Sequence, residues 1–296
     1  MNAQRSLLLL SALWLAPTVG FAQSGTAAIL EMMKDINGRL ERRGFNVALE
    51  EIEFFTIGWG RPRNHLHQTP YRWVAGDERR QADGGRITYM VDQSWGPPTA
   101  SGVSMEDSEG AIDRSLETWG ADACLATVDI VKRPYAGDDV TTFDYFFGFG
   151  GYGSPFEADV VHAGWFPRIF FDLVGGPGGG TSILALSVTF VFTRDGQPTD
   201  IDDDGYLDTA ITEIYYNDTF GDRGDERAEL PWGVDVRLPG IDVETVALHQ
   251  NGHALGLGHF GPPPAAVMNP TYAGLRQEPL AIDRTGMCAV WEGWAR

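Results

Sequence analysis

The chain has 296 residues, of which 41 are acidic and 22 are lysine or arginine, so its formal net charge is −19. A surface this acidic argues against nucleic acid and anionic lipid as partners, and it favours solubility outside the cell. The charge does not identify a substrate.

The beginning of the chain has the pattern of a secretory signal peptide. Arg5 precedes an apolar run over residues 7–16, and Gly20 and Ala22 place small residues where a signal peptidase reads. The run is too short for a membrane anchor, and no later segment is long and apolar enough to span a bilayer. We therefore predict a signal peptide over residues 1–22 and a secreted mature protein, extracellular or periplasmic, without a membrane span.

An N-terminal extension over residues 23–83 is predicted to precede a single domain over residues 84–296. Within the extension, apolar residues at helical spacing predict an amphipathic helix over residues 26–43. Residues 45–59 are predicted to be extended. The extension is either a propeptide or an integral cap on the domain.

Hydrophobic periodicity in residues 84–296 predicts strands interleaved with two long helices. The predicted strands cover residues 86–92, 125–131, 158–166, 183–192 and 213–217, and the predicted long helices cover residues 105–119 and 243–255.

Cys124 and Cys288 are the only two cysteines of the sequence. In an oxidising compartment an even pair favours one disulfide, which would tie the region after the first long helix to the C-terminal helix. Two buried free thiols are the alternative.

An acidic segment at residues 200–208 matches the first nine positions of a calcium-binding loop. Alternate carboxylates supply the hard oxygen ligands that calcium prefers, and Gly205 permits the sharp turn between them. The twelfth position holds Ile211 instead of glutamate, so a solvated acidic loop without a metal is the alternative. The candidate calcium ligands are the side chains of Asp200, Asp202, Asp204 and Asp208 and the carbonyl of Tyr206.

Three of the six histidines of the chain lie within residues 249–259. His249 and His253 are four residues apart, so on a helix they share one face and can reach one metal ion. Gly256 can adopt positive φ and leave the helix, which brings His259 to the same ion. Three neutral imidazoles with an open fourth position predict a zinc site of the catalytic type.

This segment resembles the signature of the metzincin clan of zinc metalloendopeptidases, H-E-x-x-H-x-x-G-x-x-H followed by a Met-turn. Met268, within residues 266–270, stands where the Met-turn is expected, and Gln250 stands where the signature has glutamate. The chain is most similar to the matrixins and their bacterial relatives, over residues 84–294. The resemblance implies an α+β fold, with a twisted mixed sheet and two long helices. It also implies that residues 183–192 form an edge strand that pairs with an extended peptide or protein substrate.

Gln250 determines which chemistry is expected. In the clan the glutamate at this position is the general base, whereas an amide can form hydrogen bonds but cannot accept the proton. Loss of a general acid–base group typically costs about 100-fold to 10,000-fold in rate. We therefore expect zinc binding with severely reduced peptide hydrolysis, in either a naturally degenerate peptidase or a variant of an active parent.

Two classes of function follow for this chain, which we expect to be a monomer. One is a secreted zinc metalloendopeptidase of low activity. The other is a catalytically inactive zinc-binding pseudopeptidase that binds peptides or protein partners without cutting them. The sequence alone leaves both open.

Overall fold

A computed structural model describes residues 25–58, 70–80, 84–94, 101–151, 157–222, 227–291 and 293–294 of the chain. The predicted signal peptide lies outside these residues. Among the described residues, no helix combines the length and the apolar character that crossing a bilayer requires.

The described chain folds into five α-helices and one large mixed sheet, which confirms the predicted α+β class. The helices are α1 (Gly25–Arg42), α2 (Met105–Gly120), α3 (Arg168–Gly175), α4 (Val243–Ala254) and α5 (Ala281–Trp291). The strands are β1 (Val47–Thr56), β2 (Tyr71–Arg72), β3 (Ile87–Val91), β4 (Ile130–Lys132), β5 (Val160–Phe166), β6 (Ile183–Arg194), β7 (Gln197–Pro198), β8 (Leu207–Asn217), β9 (Trp232–Gly233) and β10 (Ile241–Asp242).

The main path of the sheet runs in the order β1, β6, β8, β5, β3, β4. Strand β6 is antiparallel to both of its neighbours, whereas β8, β5, β3 and β4 are parallel to one another. A parallel sheet must bury both of its faces, which explains why every residue of β3 and β5 is buried.

Two of the sequence predictions are wrong at this level. The strand predicted at residues 183–192 exists, but it is not a sheet edge, because β1 of the N-terminal extension pairs along it. The strand predicted at residues 125–131 is reduced to Ile130–Lys132. Residues 123–125 instead form a short 3₁₀ turn, because the Asp122 carboxylate accepts a hydrogen bond from the Cys124 amide and Leu125 is buried.

Apolar side chains pack on both faces of the sheet. One face packs against α2, α4 and α5, and Trp119 and Leu248 are fully buried there. The other face packs against α1 and α3, where Phe170 and Leu40 are fully buried. The metal-site helix α4 is buried all round, as expected for a helix between the sheet and other helices.

The N-terminal extension contributes to both of these cores. The buried face of α1 and strand β1 belong to the core with α3, and the ring of Trp73 belongs to the core with α4. The indole Nε1 of Trp73 donates to the Ala254 carbonyl at 2.8 Å, and Trp294 Nε1 donates to the Trp73 carbonyl at 2.7 Å. The described part of the extension is therefore packed into the cores on both faces of the sheet.

The two cysteines form the predicted disulfide. Cys124 lies in the 3₁₀ turn after α2, Cys288 lies in α5, and their Cα atoms are 5.0 Å apart. The bond closes a loop with a sequence separation of 164 residues, and in the chain-entropy model a loop of this size gives about 4–5 kcal/mol of stabilisation.

Candidate metal centre

Helix α4 presents the first two predicted zinc ligands. The helix begins at Val243. Asp242, the residue before it, caps the helix, because its carboxylate accepts a hydrogen bond from the Thr245 amide at 2.7 Å. His249 and His253 follow on one face of the helix, and both are fully buried.

The third predicted ligand returns to the same place through a turn at the end of α4. Gly256 has φ of +93°, a value that favours glycine, and the chain leaves the helix there. The Nε2 atoms of His249 and His253 are then 3.0 Å apart, and each lies 3.2 Å from Nε2 of His259. Nitrogens held at about 2.0–2.1 Å by a tetrahedral zinc ion would be about 3.3 Å apart, so the three imidazoles fit this ion.

The other ring nitrogen of each histidine faces an acceptor. His249 Nδ1 lies 2.8 Å from the Val267 carbonyl, and His253 Nδ1 lies 2.7 Å from the Leu257 carbonyl. A proton held on Nδ1 leaves the lone pair of Nε2 free for a metal. Burial lowers the pKa of His249 well below its usual value, which favours the neutral form that binds metal.

Glu53 is the residue of this site that the sequence analysis missed. Its carboxylate Oε2 lies 3.0 Å from His259 Nδ1, and its side chain is only 1% exposed. A carboxylate behind a histidine ligand fixes the orientation of the ring and makes the ring a stronger donor. No sequence signal pointed to it, because Glu53 lies in the extension and reaches the site only through the pairing of β1 with β6.

Gln250 is buried beside the first ligand, as the position in the sequence motif requires. Among the described residues, neither its amide oxygen nor its amide nitrogen has a hydrogen-bond partner. Buried polar groups are normally hydrogen-bonded, so a buried amide with a free oxygen and a free nitrogen is expected where a bound ligand would supply the partners. Glu244, near the start of α4, forms an ion pair with Arg114 at 2.6 Å.

Met268 lies beneath α4, as a Met-turn would place it. A Cβ atom at Gly252, on the helix between the two histidines, would collide with the sulfur of Met268. The buried carboxylate of Asp283 holds the turn, because it accepts hydrogen bonds from the amides of Val267 (2.8 Å) and Met268 (3.1 Å). Asp283 is a second residue that the sequence analysis did not single out.

The structure brings together only part of the predicted calcium loop. Carboxylate oxygens of Asp200, Asp202 and Asp208 lie within 4.8 Å of one another. Asp204 instead forms an ion pair with Arg72, and its carboxylate accepts a hydrogen bond from the Tyr206 amide at 2.7 Å.

A second arginine side chain also contacts this acidic segment. The Asp208 carboxylate lies 2.7 Å from the guanidinium of Arg79. Arginines of the extension therefore neutralise part of the acidic charge.

His162 lies in a buried polar chain behind the metal site. Its Nε2 donates to Asn251 Oδ1 at 3.1 Å, its Nδ1 accepts from the Tyr216 hydroxyl at 2.9 Å, and Asn251 donates to Ser115 at 2.8 Å. Burial lowers the pKa of His162 to about 3, so the ring stays neutral. It is a structural histidine that fixes α4 against β5, β8 and α2.

A search of curated proteins found no match to this chain. Residues 181–292 match the family model described as Matrixin, and this range contains β6, β8, α4, the three histidines and the Met-turn. The family is zinc-dependent. This part of the chain is therefore similar to the matrixin family, and it carries a histidine triad that could hold a metal ion.

Proposed function

We propose that this protein is a secreted zinc metalloendopeptidase by descent whose hydrolytic activity is strongly reduced, because Gln250 replaces the general base. The observation that carries the proposal is the convergence of three imidazole Nε2 atoms at 3.0–3.2 Å from one another. The substrate class is an extended peptide or protein segment, and the protein acts as a monomer.

His249, His253 and His259 hold the metal, and Val267, Leu257 and Glu53 orient them through Nδ1. Zinc, when bound, supplies a Lewis acid that polarises a carbonyl and acidifies a coordinated water. The amide of Gln250 can orient a polar group by hydrogen bonding. It has no basic site, so the proton that hydrolysis must move has no acceptor there.

A pseudopeptidase that binds peptides without cutting them is the second candidate function. Two observations favour it: the amide at position 250, and the pairing of β1 along β6, the strand that would otherwise be available to a substrate. The amide of Gln250 and the pairing of β1 with β6 leave the fold and the three histidines intact, but both would slow peptide hydrolysis.

The two candidates differ in how they respond to Gln250→Glu. We expect this substitution to raise cleavage of a mixed peptide library by about 100-fold to 10,000-fold, because it restores a proton acceptor. Zinc content, measured by elemental analysis, should stay at one ion per chain in both forms. The matched control is Gln250→Ala, which should bind zinc and stay inactive.

The outcomes separate the candidates clearly. Activity that appears only in the glutamate form supports a degenerate peptidase. Zinc-loaded protein that is silent in both forms supports the pseudopeptidase. Equal, chelator-sensitive cleavage by both forms would overturn the interpretation of Gln250, and absence of stoichiometric zinc would overturn the proposed function itself.

We further propose that the acidic cluster at Asp200, Asp202 and Asp208 binds calcium. The proposal is supported by the close approach of the three carboxylates. Calcium at about 100 times its dissociation constant should stabilise the fold by about 2.7 kcal/mol, and thermal unfolding with and without calcium measures this. In Asp202→Asn the shift should be smaller, and an identical shift in that variant would contradict the proposal.

Export is proposed on the composition of residues 1–22, and the disulfide fits an oxidising compartment. The mass of the exported protein checks it. A mature chain that starts near residue 23 is expected, and a start near residue 84 would identify the extension as a cleaved propeptide. An intact residue 1 would contradict the proposal of a signal peptide.

A further inference from the structure

Strand β1 lies along β6 and contacts two of the three clustered histidines. On one side it runs antiparallel to β6, from Val47 opposite Phe192 to Thr56 opposite Ile183. Strand addition to a sheet edge is a general way to bind an extended peptide, since the edge offers unpaired backbone groups. Here the added strand comes from the chain itself.

The end of β1 is also bonded on its other side. The Thr56 amide donates to the Pro270 carbonyl at 3.2 Å, and the Tyr272 amide donates to the Thr56 carbonyl at 2.7 Å. The next amide, Ile57, donates to the Ser182 carbonyl at 2.8 Å. The backbone of residues 55–57 is therefore held between β6 and the segment that follows the Met-turn.

Two side chains of β1 face the metal ligands. The ring of Phe55 stacks on the imidazole of His249, with ring centroids 3.9 Å apart and planes 12° apart. The ring of Tyr272 packs edge-on against the ring of Phe55, with ring centroids 6.0 Å apart. Two residues earlier on the same strand, Glu53 lies against His259. The side chain of Phe54 instead belongs to the core formed with α1 and α3.

The exposure of the ligands agrees with this arrangement. His249 and His253 are fully buried, and the side chain of His259 is only 8% exposed. A metal site that takes peptides needs an approach from solvent. Here side chains of β1 lie against His249 and His259.

We propose that residues 47–57 are a built-in strand ligand that closes the peptide groove, and that the groove takes extended segments with an aromatic side chain at the place of Phe55. This inference rests on the proposed function, since it names the peptide class of the same site. An external segment binds by replacing β1 between β6 and residues 270–272.

The test uses the full chain and a fluorescent peptide with the sequence of residues 47–57. Phe55→Ala removes the ring that stacks on His249, so the labelled peptide should bind this variant at least about 10-fold more tightly than the unaltered protein. Fluorescence anisotropy measures the affinity. A second peptide with alanine in place of its Phe55 should lose most of that gain.

The matched control is Phe220→Ala, which removes the same side-chain atoms from a fully buried site outside β1. It should not gain affinity for the peptide. Equal peptide affinity in the two variants, both with normal zinc content, would overturn the inference and leave the proposed function standing. Loss of zinc from the unaltered protein would overturn the proposed function instead.

A second measurement needs no variant. Hydrogen exchange of the unaltered protein, followed by mass spectrometry, should show faster exchange in residues 47–57 when the peptide is in large excess. Exchange in β8 should not change. Unchanged protection of residues 47–57 at saturating peptide would overturn the inference, whether or not Phe55→Ala folds.

Discussion

At the scale of single residues, the metal site depends on what lies behind each ligand. His253 is backed by the carbonyl of Leu257, which follows in the same turn, and His249 is backed by the carbonyl of Val267 from the turn beneath α4. His259 is backed by a charged side chain, Glu53, from a distant strand. The third ligand is therefore the one whose basicity depends on a charged group that the tertiary structure brings to it.

Glu53→Gln tests this dependence. The amide side chain has nearly the same shape as the carboxylate but carries no charge, so we expect zinc affinity to fall by about 10-fold, the lower end of the range for such partners. Competition with a chromophoric chelator measures the affinity. Glu50→Gln, in the same strand, is the control and should leave it unchanged. Equal affinity in the two variants would show that the charge of Glu53 does not support the site.

At the scale of elements, helix α4, which carries two of the three clustered histidines, and the turn that follows it could be predicted because their signals are local. The spacing of His249 and His253 and the position of Gly256 depend only on helix geometry and on the φ value that glycine allows. The disulfide was also predicted from residue type and context, and the family resemblance pointed to the position of Met268, which lies against Gly252 of α4.

The pairing of β1 with β6 could not be predicted in the same way. The sequence of residues 45–59 predicts an extended segment, but nothing in it specifies which strand this segment pairs with. Strand partners are set by long-range packing, here by the apolar face that β1 shares with α1. The family resemblance implied an open edge at β6, which β1 in fact covers, and Glu53 was not recognised as part of the site.

At the scale of the whole molecule, several acidic side chains are buried in a strongly acidic protein. Glu213 lies in β8, Asp144 lies in a short 3₁₀ helix, and both are fully buried. The Glu213 carboxylate accepts hydrogen bonds from the amides of Thr142 and Phe143 and from the Tyr215 hydroxyl. Despite these donors, burial raises the pKa of Glu213 to about 7.

The same burial makes the stability of the fold sensitive to alkaline conditions. Burial raises the pKa of Asp144 from 3.8 to about 8, and its Oδ1 accepts a hydrogen bond from Thr141 at 2.5 Å. In the unfolded chain this carboxyl ionises near its ordinary pKa, whereas in the folded chain it keeps its proton. Its contribution to stability is therefore complete below about pH 4 and is lost as pH rises through about 8.

The variant Asp144→Asn isolates the contribution of the Asp144 carboxyl to the pH dependence of stability. The amide keeps an acceptor for Thr141 and cannot ionise, so the variant should match the unaltered protein near pH 4 and exceed its stability at pH 9, by up to about 5 kcal/mol. Denaturant unfolding at a series of pH values measures the difference, and any contribution from zinc cancels in it. The exposed Asp195 gives the control, since Asp195→Asn should show a constant difference across the series. A constant difference for Asp144→Asn as well would mean that the buried carboxyl does not hold its proton in the folded protein.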